Sequence, residues 1–199
     1  MLIRTHIGVS LDGFITDANG LPAWDAMENF GPGAYGHDEF TAGCSAVVIG
    51  RTTFDQGWPF WTQGDWPYAG KTVYVLTSRP LSERAPEFKV VPSNGGVPEL
   101  LARLRSEVTS GDTHLLGGAA TIKAFMDLGA LDLLGMVLLP VRLGSGIPLL
   151  PTTPVAFSNE AWEHSLANPS GQLPGSRLNL ERHRVHPDGA IELFYSFPR

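Results

Sequence analysis

Five short stretches of this 199-residue chain place glycine, hydroxyl or guanidinium groups where an apolar run gives out: Asp12-Gly13, Gly50-Arg51-Thr52-Thr53, Thr77-Ser78-Arg79, Gly117-Gly118 and Gly144-Ser145-Gly146. Their shared chemistry is the binding of an anionic ligand. Glycine lets the backbone approach where a Cβ would stand in the way, and a helix starting just after it aims free N–H groups and its positive dipole end at the same spot. The run Thr113 to Ile122 shows this best: an apolar stretch meets two glycines, Ile122, Phe125 and Met126 follow at helical spacing, and Gly129 closes the pattern as a C′ residue. A helix beginning at Gly118 suits a pyrophosphate; a tight turn with no ligand is the other reading of two adjacent glycines. The spacing is not G-x-G-x-x-G, so an ordinary Rossmann domain is not implied.

The elements that must position these loops follow from periodicity. Leu2 to Val9 alternates and ends at Asp12-Gly13, which marks a turn. The stretch to Gly43 is irregular, with a helix expected from Gly33 or Ala34 to about Ala42. Ser45 to Ile49 is a continuous apolar run, expected as a strand buried on both faces. Gly50 then turns into a short helix, and a loop rich in Trp, Pro and Gly is expected between Gln56 and Gly70. Thr72 to Leu76 and Phe88 to Val91 are strand candidates, and Val97, Leu100, Leu101, Leu104 and Val108 line one side of a helix. Leu131 to Val141 is apolar enough for a central strand, while Leu178 to His186 and Ala190 to Phe197 flank the hairpin signal Pro187-Asp188-Gly189. Strands alternating with helices and a terminal hairpin predict a three-layer α/β domain over residues 1–199, with a mostly parallel mixed sheet and an antiparallel C-terminal edge. In such sheets ligands sit beyond the carboxyl ends of the strands, where all five loops fall.

Composition narrows the function. Apolar residues make up 43% and charged residues 17%, which fits one globular core. There is no charged leader and no apolar span of about 20 residues, so a cytoplasmic protein without a membrane segment is expected. Cys44 is the only cysteine, which excludes an internal disulfide and a Cys-rich metal site; no metal is expected. A net charge of −6 argues against a nucleic-acid surface.

Taken in order, Ser10-Leu11-Asp12-Gly13-Phe14-Ile15, Val48-Ile49-Gly50-Arg51-Thr52-Thr53, Leu76-Thr77-Ser78-Arg79, Leu116-Gly117-Gly118-Ala119 and Pro140-Val141-Arg142-Leu143-Gly144-Ser145-Gly146-Ile147-Pro148-Leu149 resemble the dihydrofolate reductase-like superfamily. The branch most similar is the reductase (C-terminal) domain of RibD, the bifunctional protein of riboflavin biosynthesis. The resemblance implies a sheet of about eight strands with NADPH across the strand ends, a small-molecule substrate and a homodimer. It implies that Arg51, Thr52 and Thr53 hold cofactor phosphates, that Thr77, Ser78 and Arg79 surround the adenosine 2′-phosphate, and that Gly117, Gly118, Ala119, Ala120 and Thr121 take the pyrophosphate. The chemistry agrees, since guanidinium forks and small hydroxyls are good phosphate donors. Arg79 favours NADPH over NADH; a solvated loop arginine is the alternative.

The implied activity is an NADPH-dependent reductase passing hydride to a small heteroaromatic or imine-type compound, as in 5-amino-6-(5-phosphoribosylamino)uracil reductase. The alternatives are a dihydrofolate or pterin reductase and a non-catalytic NADPH-binding redox sensor. The deaminase that accompanies RibD carries H-x-E and P-C-x-x-C. His37-Asp38-Glu39 matches the first half only, so it is read as a solvated helix face. No Lys or Arg lies between Arg4 and Arg51, whereas Asp12, Asp17, Asp25, Glu28, Asp38 and Glu39 do. An anionic substrate would need a cation, for which Arg142 is the candidate, and a neutral or cationic heteroaromatic suits the acidic wall better. Two carboxylates are candidate proton sources. Asp12 is either that or a turn cap, and Glu28 stands one short of Asn29, five residues after Trp24. Among Trp24, Phe30, Tyr35, Trp58, Phe60, Trp61 and Trp66, one or two should reach a ligand and the rest pack; Trp24 is the best placed.

Overall fold

Apolar runs build the centre of the sheet, and short polar turns end them. The elements are β1 (Ile3–Arg4), β2 (Ile7–Ser10), β3 (Phe14–Thr16), α1 (His37–Ala42), β4 (Cys44–Gly50), α2 (Arg51–Trp61), β5 (Thr72–Leu76), β6 (Val90–Ser93), α3 (Gly96–Glu107), β7 (Asp112–Gly117), α4 (Ala119–Asp127), β8 (Leu133–Leu139), β9 (Ile147–Pro148), β10 (Asn179–Val185) and β11 (Ile191–Ser196). The computed structural model describes residues 1–28, 33–63, 66–81, 88–150 and 177–198. Asn29 and Phe30 lie outside the described residues.

The main sheet runs β10-β11-β8-β1-β7-β4-β5-β6, with β2 also on β8. Pairings from β8 to β6 are parallel, and the β10–β11 hairpin closes one edge antiparallel. β1 and β2 are two halves of one line, so the sheet has eight strand positions. The expected continuous strand from Leu2 to Val9 is interrupted at Thr5-His6, where the Thr5 hydroxyl donates to Gly135 O at 2.8 Å and accepts from Gly135 N at 2.9 Å. A Cβ on Gly135 would overlap the Thr5 carbonyl, so only glycine admits this crossing.

Side-chain alternation on β4 assigns the layers. Ala46 and Val48 pack with Leu100 and Leu104 of α3 and Ile122 and Phe125 of α4. Val47 and Ile49 pack on the other face with Phe54 of α2. Val47 is the register partner of His114, over which Phe40 of α1 sits edge-on, so α1 and α2 share that face. Two helical layers on a sheet buried from both sides explain the unbroken apolar run of β4.

Two expectations shift. The helix after Gly50 continues to Trp61, through Gly57 and Pro59, because Phe54, Trp58 and Trp61 recur at i, i+4 and i+7 and settle on the sheet. The edge strand is Val90–Ser93 rather than Phe88 to Val91, and it tolerates Pro92 because an edge leaves N–H positions unpaired. β3 and β9 pair separately as a two-stranded ribbon near the ends of β2 and β8. Among the described residues, no helix is long and apolar enough to cross a membrane.

Candidate functional site

The carboxyl ends of β4 and β7 are neighbours, which sets two glycine turns side by side. Gly50 precedes α2 and Gly118 precedes α4, and as N-cap residues neither glycine has a side chain with which to cap its helix. The Gly117–Gly118 peptide is cis, and Gly117 has φ 119°, a left-handed value open to glycine. A Cβ on Gly50 would stand 2.5 Å from Thr121 Oγ1 and 3.5 Å from Gly117 O, and one on Gly118 would stand 3.1 Å from Thr53 Oγ1. Two positive helix ends thus open at one place, with the hydroxyls of Thr53 and Thr121 between them. Free N–H groups, dipole ends and short hydroxyl donors form a set that fits a pyrophosphate. Ala119 and Thr121 are buried in this turn and Ala120 is exposed.

The adjoining loop after β5 is organised by Arg51. Its Nε donates to Asp55 Oδ2 at 2.6 Å, and its Nη1 donates to Pro80 O at 2.9 Å, Arg79 O at 3.4 Å and Thr77 Oγ1 at 3.5 Å. The Arg51 side chain is only 19% exposed. It therefore ties the start of α2 to the loop, and the donors on this side left facing solvent are those of Thr52, Ser78 and Arg79. Thr77 is buried and accepts Arg79 N at 3.1 Å, which shapes the turn from within. Ser78 and Thr52 are exposed, and the Arg79 side chain is 68% exposed, with Nη2 4.0 Å from Asp55 Oδ2.

Asp12 fastens the other half of the edge. Oδ1 accepts the Ser10 hydroxyl at 2.7 Å and Leu143 N at 3.1 Å, and Oδ2 accepts Gly144 N at 2.7 Å. The Ser10 hydroxyl, followed by the Gly144 and Leu143 amides, pulls its pKa down to about 2. These three donors favour the ionised form of the carboxylate. The group it caps is the loop after β8, in addition to its own turn. Arg142 is exposed in that same loop, and Glu28 is exposed in a turn. Trp24 stands on the 3-10 turn Ala23–Ala26 and packs with Ala23, Val137 and Leu139; a Cβ on Gly8 would come within 2.9 Å of its ring, so the glycine seats the indole.

The structure thus brings Arg51, Thr52, Thr53, Thr77, Ser78 and Arg79 together with Gly117 to Thr121, and groups Asp12 with Arg142 at the neighbouring strand ends. Trp66 meets Trp58, Trp61 and Tyr68 edge-on, and Trp61 also meets Tyr68, in one aromatic cluster. Asp55 was not anticipated as a site residue, although its i+4 spacing from Arg51 was a visible signal.

A second polar group lies beneath α1. His6 Nε2 is 3.3 Å from Glu192 Oε1, and the rings of His6, His37 and His114 succeed one another at 5.8 and 5.9 Å. His37 therefore turns inward, away from the solvated face expected for it, while Asp38 and Glu39 stay exposed. Burial pushes His6 down to about 4 and lowers His37 and His114 as well. Among the described residues no group of three or more His, Cys, Asp or Glu is placed to hold a metal.

The chain is similar to known proteins in sequence and in fold. YwjB of Bacillus subtilis strain 168, an uncharacterized protein, is 35% identical over 145 residues, which cover 72% of this chain and 79% of that one. A crystal structure from Shewanella sp. PV-4, provisionally assigned to riboflavin biosynthesis, is 25% identical and superposes over 100% of both chains with a TM-score of 0.74. Dihydrofolate reductase from Enterococcus faecalis, in complex with NADP(H), shares the fold at 18% identity, with a TM-score of 0.60 over 100% of this chain and 97% of that one. Residues 2–166 match the family described as RibD C-terminal domain. With the glycine turns, strand order and terminal hairpin in place, the chain belongs to the RibD C-terminal domain family.

Proposed function

We propose that this chain is an NADPH-dependent reductase acting on a small heteroaromatic or imine-type compound. The observation that carries the reading is the pair of glycine-led helix starts at Gly50 and Gly118, with Thr53 and Thr121 between them and Ser78 and Arg79 exposed on the next loop. When bound, the nicotinamide supplies a hydride to the acceptor, which also takes up a proton. The two helix starts hold the pyrophosphate, and Ser78 and Arg79 receive the adenosine 2′-phosphate. Arg51 supports that loop from behind rather than by direct contact.

On the substrate side, Asp12 orients the 142–146 loop and so places Arg142. Held by its own donors, Asp12 works in this reading by positioning the loop, and the proton comes from solvent. Trp24 offers a flat apolar wall for an aromatic substrate. The acidic stretch before Arg51 favours a neutral or cationic ring. A homodimer goes with this reading.

Asp12 in its ionised state also suits a dinucleotide-binding sensor without turnover. A thermal-shift titration with NADPH and NADH, followed by NADPH oxidation against a panel of pyrimidines, pterins and cyclic imines, separates the readings. A larger shift with NADPH and oxidation with at least one ring system is expected. No shift with either dinucleotide would overturn the reductase reading, and a shift without oxidation across the panel would favour the sensor.

A further inference from the structure

Asp55 lies between two guanidinium groups that the site uses differently. Its Oδ2 accepts Arg51 Nε at 2.6 Å and stands 4.0 Å from Arg79 Nη2. Arg51 is largely enclosed and has three further acceptors on the 77–80 loop, so its charge is directed into the protein. Arg79 is mostly in solvent, and its contact with Asp55 is long. An exposed ion pair of this kind is weak and readily displaced. Asp55 is 38% exposed, so its negative charge is felt on the same surface.

We propose that Asp55 is a specificity-determining residue for the adenosine end of the cofactor, moderating the attraction of Arg79 for a 2′-phosphate. The inference rests on the reductase reading above. A 2′-phosphate that meets Arg79 must draw it away from Asp55 and then sit close to that carboxylate, so affinity for the phosphorylated form is held below what Arg79 alone would give. A dinucleotide with a bare 2′-hydroxyl brings no such charge and is indifferent to Asp55. The same carboxylate keeps Arg51 turned toward Thr77, Arg79 and Pro80, so the loop stays in place while the discrimination is tuned.

Asp55→Asn separates the two roles, because its amide oxygen still accepts from Arg51 Nε while the charge is gone. Calorimetric titration with 2′,5′-ADP and with ADP reads the adenosine end without the nicotinamide. Removing one unit charge beside a phosphate at a solvent-facing site should tighten 2′,5′-ADP by about three- to tenfold at low salt, leave ADP unchanged, and shrink as salt is raised. The gain should vanish when Arg79→Ala is combined with it, since the effect passes through Arg79. The ratio of the two ligands does not depend on the fraction of protein folded. A ratio unmoved by Asp55→Asn, in a wild type that prefers 2′,5′-ADP, would overturn this inference and leave the reductase reading standing. A gain that persists without Arg79, or an equal change for both ligands, would also overturn it. A wild type that binds neither ligand removes both.

Discussion

The Asp12 carboxylate accepts the backbone N–H of Gly144 at 2.7 Å, joining two loops whose fastening residues are 132 positions apart. Leu11 N on Val141 O and Leu149 N on Gly13 O flank this junction, and the β3–β9 ribbon continues it. Asp12→Ala should therefore free the 142–146 loop, speed amide exchange at Leu143 and Gly144, and raise the KM for substrate more than it lowers kcat. A loss confined to kcat with unchanged exchange would return Asp12 to the proton-donor role. Because its folded pKa lies near 2, below the ordinary 3.8, the contribution of this junction is complete above about 3.8 and is lost as pH falls toward 2. No acidic limb in activity near neutrality should trace to Asp12.

Gly50 tests the contact between the two helix starts. Its φ of −73° is open to any residue, so the obstacle to alanine is steric: the new methyl meets Thr121 Oγ1. Gly50→Ala should cost about 1–3 kcal/mol in urea denaturation and weaken dinucleotide binding. Adding Thr121→Ala should recover most of the stability, because the clash is with that hydroxyl; no recovery would place the strain elsewhere.

Arg51 and Arg79 should fail differently. Arg79→Ala removes a solvent-facing cation and should weaken NADPH by about 1 kcal/mol, with NADH little changed. Arg51→Lys keeps the charge but loses the fork that reaches Thr77, Arg79 and Pro80, so both dinucleotides should weaken together. Equal losses from Arg79→Ala, or an NADPH-only loss from Arg51→Lys, would reverse these assignments.

The histidines beneath α1 predict acid sensitivity. His6 falls from 6.5 to about 4 on folding, chiefly through burial, and His37 and His114 move the same way. Between those values the unfolded chain binds protons that the folded chain refuses. Stability is therefore full above about 6.5 and declines toward pH 4, by roughly 1 kcal/mol per pH unit for each fully engaged histidine. Among the described residues, neither ring nitrogen of buried His114 has a hydrogen-bond partner. His114→Leu should then be neutral or stabilising by about 1 kcal/mol near neutrality and should flatten the pH slope. Denaturation midpoints at about pH 7 and about pH 5 check both signs; a steeper slope in the variant would contradict them.

Strands read most clearly where one local rule decided them. β5 was bounded to the residue by a β-branched run between polar turns, and the terminal hairpin was announced by Pro187-Asp188-Gly189. α2 was cut short because Gly57 and Pro59 are local breakers, while what sustains it is the packing of Phe54, Trp58 and Trp61 on a sheet built from distant segments. The break at Thr5-His6 depends on Gly135, and two of the partners of Asp12, Leu143 and Gly144, lie beyond residue 140. Contacts of that range leave no periodic trace. The glycine turns were legible for the opposite reason, since each carries its strand end and helix start within one short segment.

The place of β1 between β7 and β8 also matters while the chain is being made. Ile3 pairs with Thr113 and Arg4 with Leu133, so the strand at the heart of the sheet leaves the ribosome about a hundred residues before either neighbour exists. At roughly 5–20 residues per second the delay is on the order of five to twenty seconds. Meanwhile the apolar Cys44–Gly50 segment has emerged and has no β7 to lie against. Nascent chains of this protein should accordingly engage holding chaperones until β8 is out. Ribosome-bound chains arrested with residue 139 still inside the exit tunnel, and others with it well outside, would show this as a drop in chaperone crosslinking.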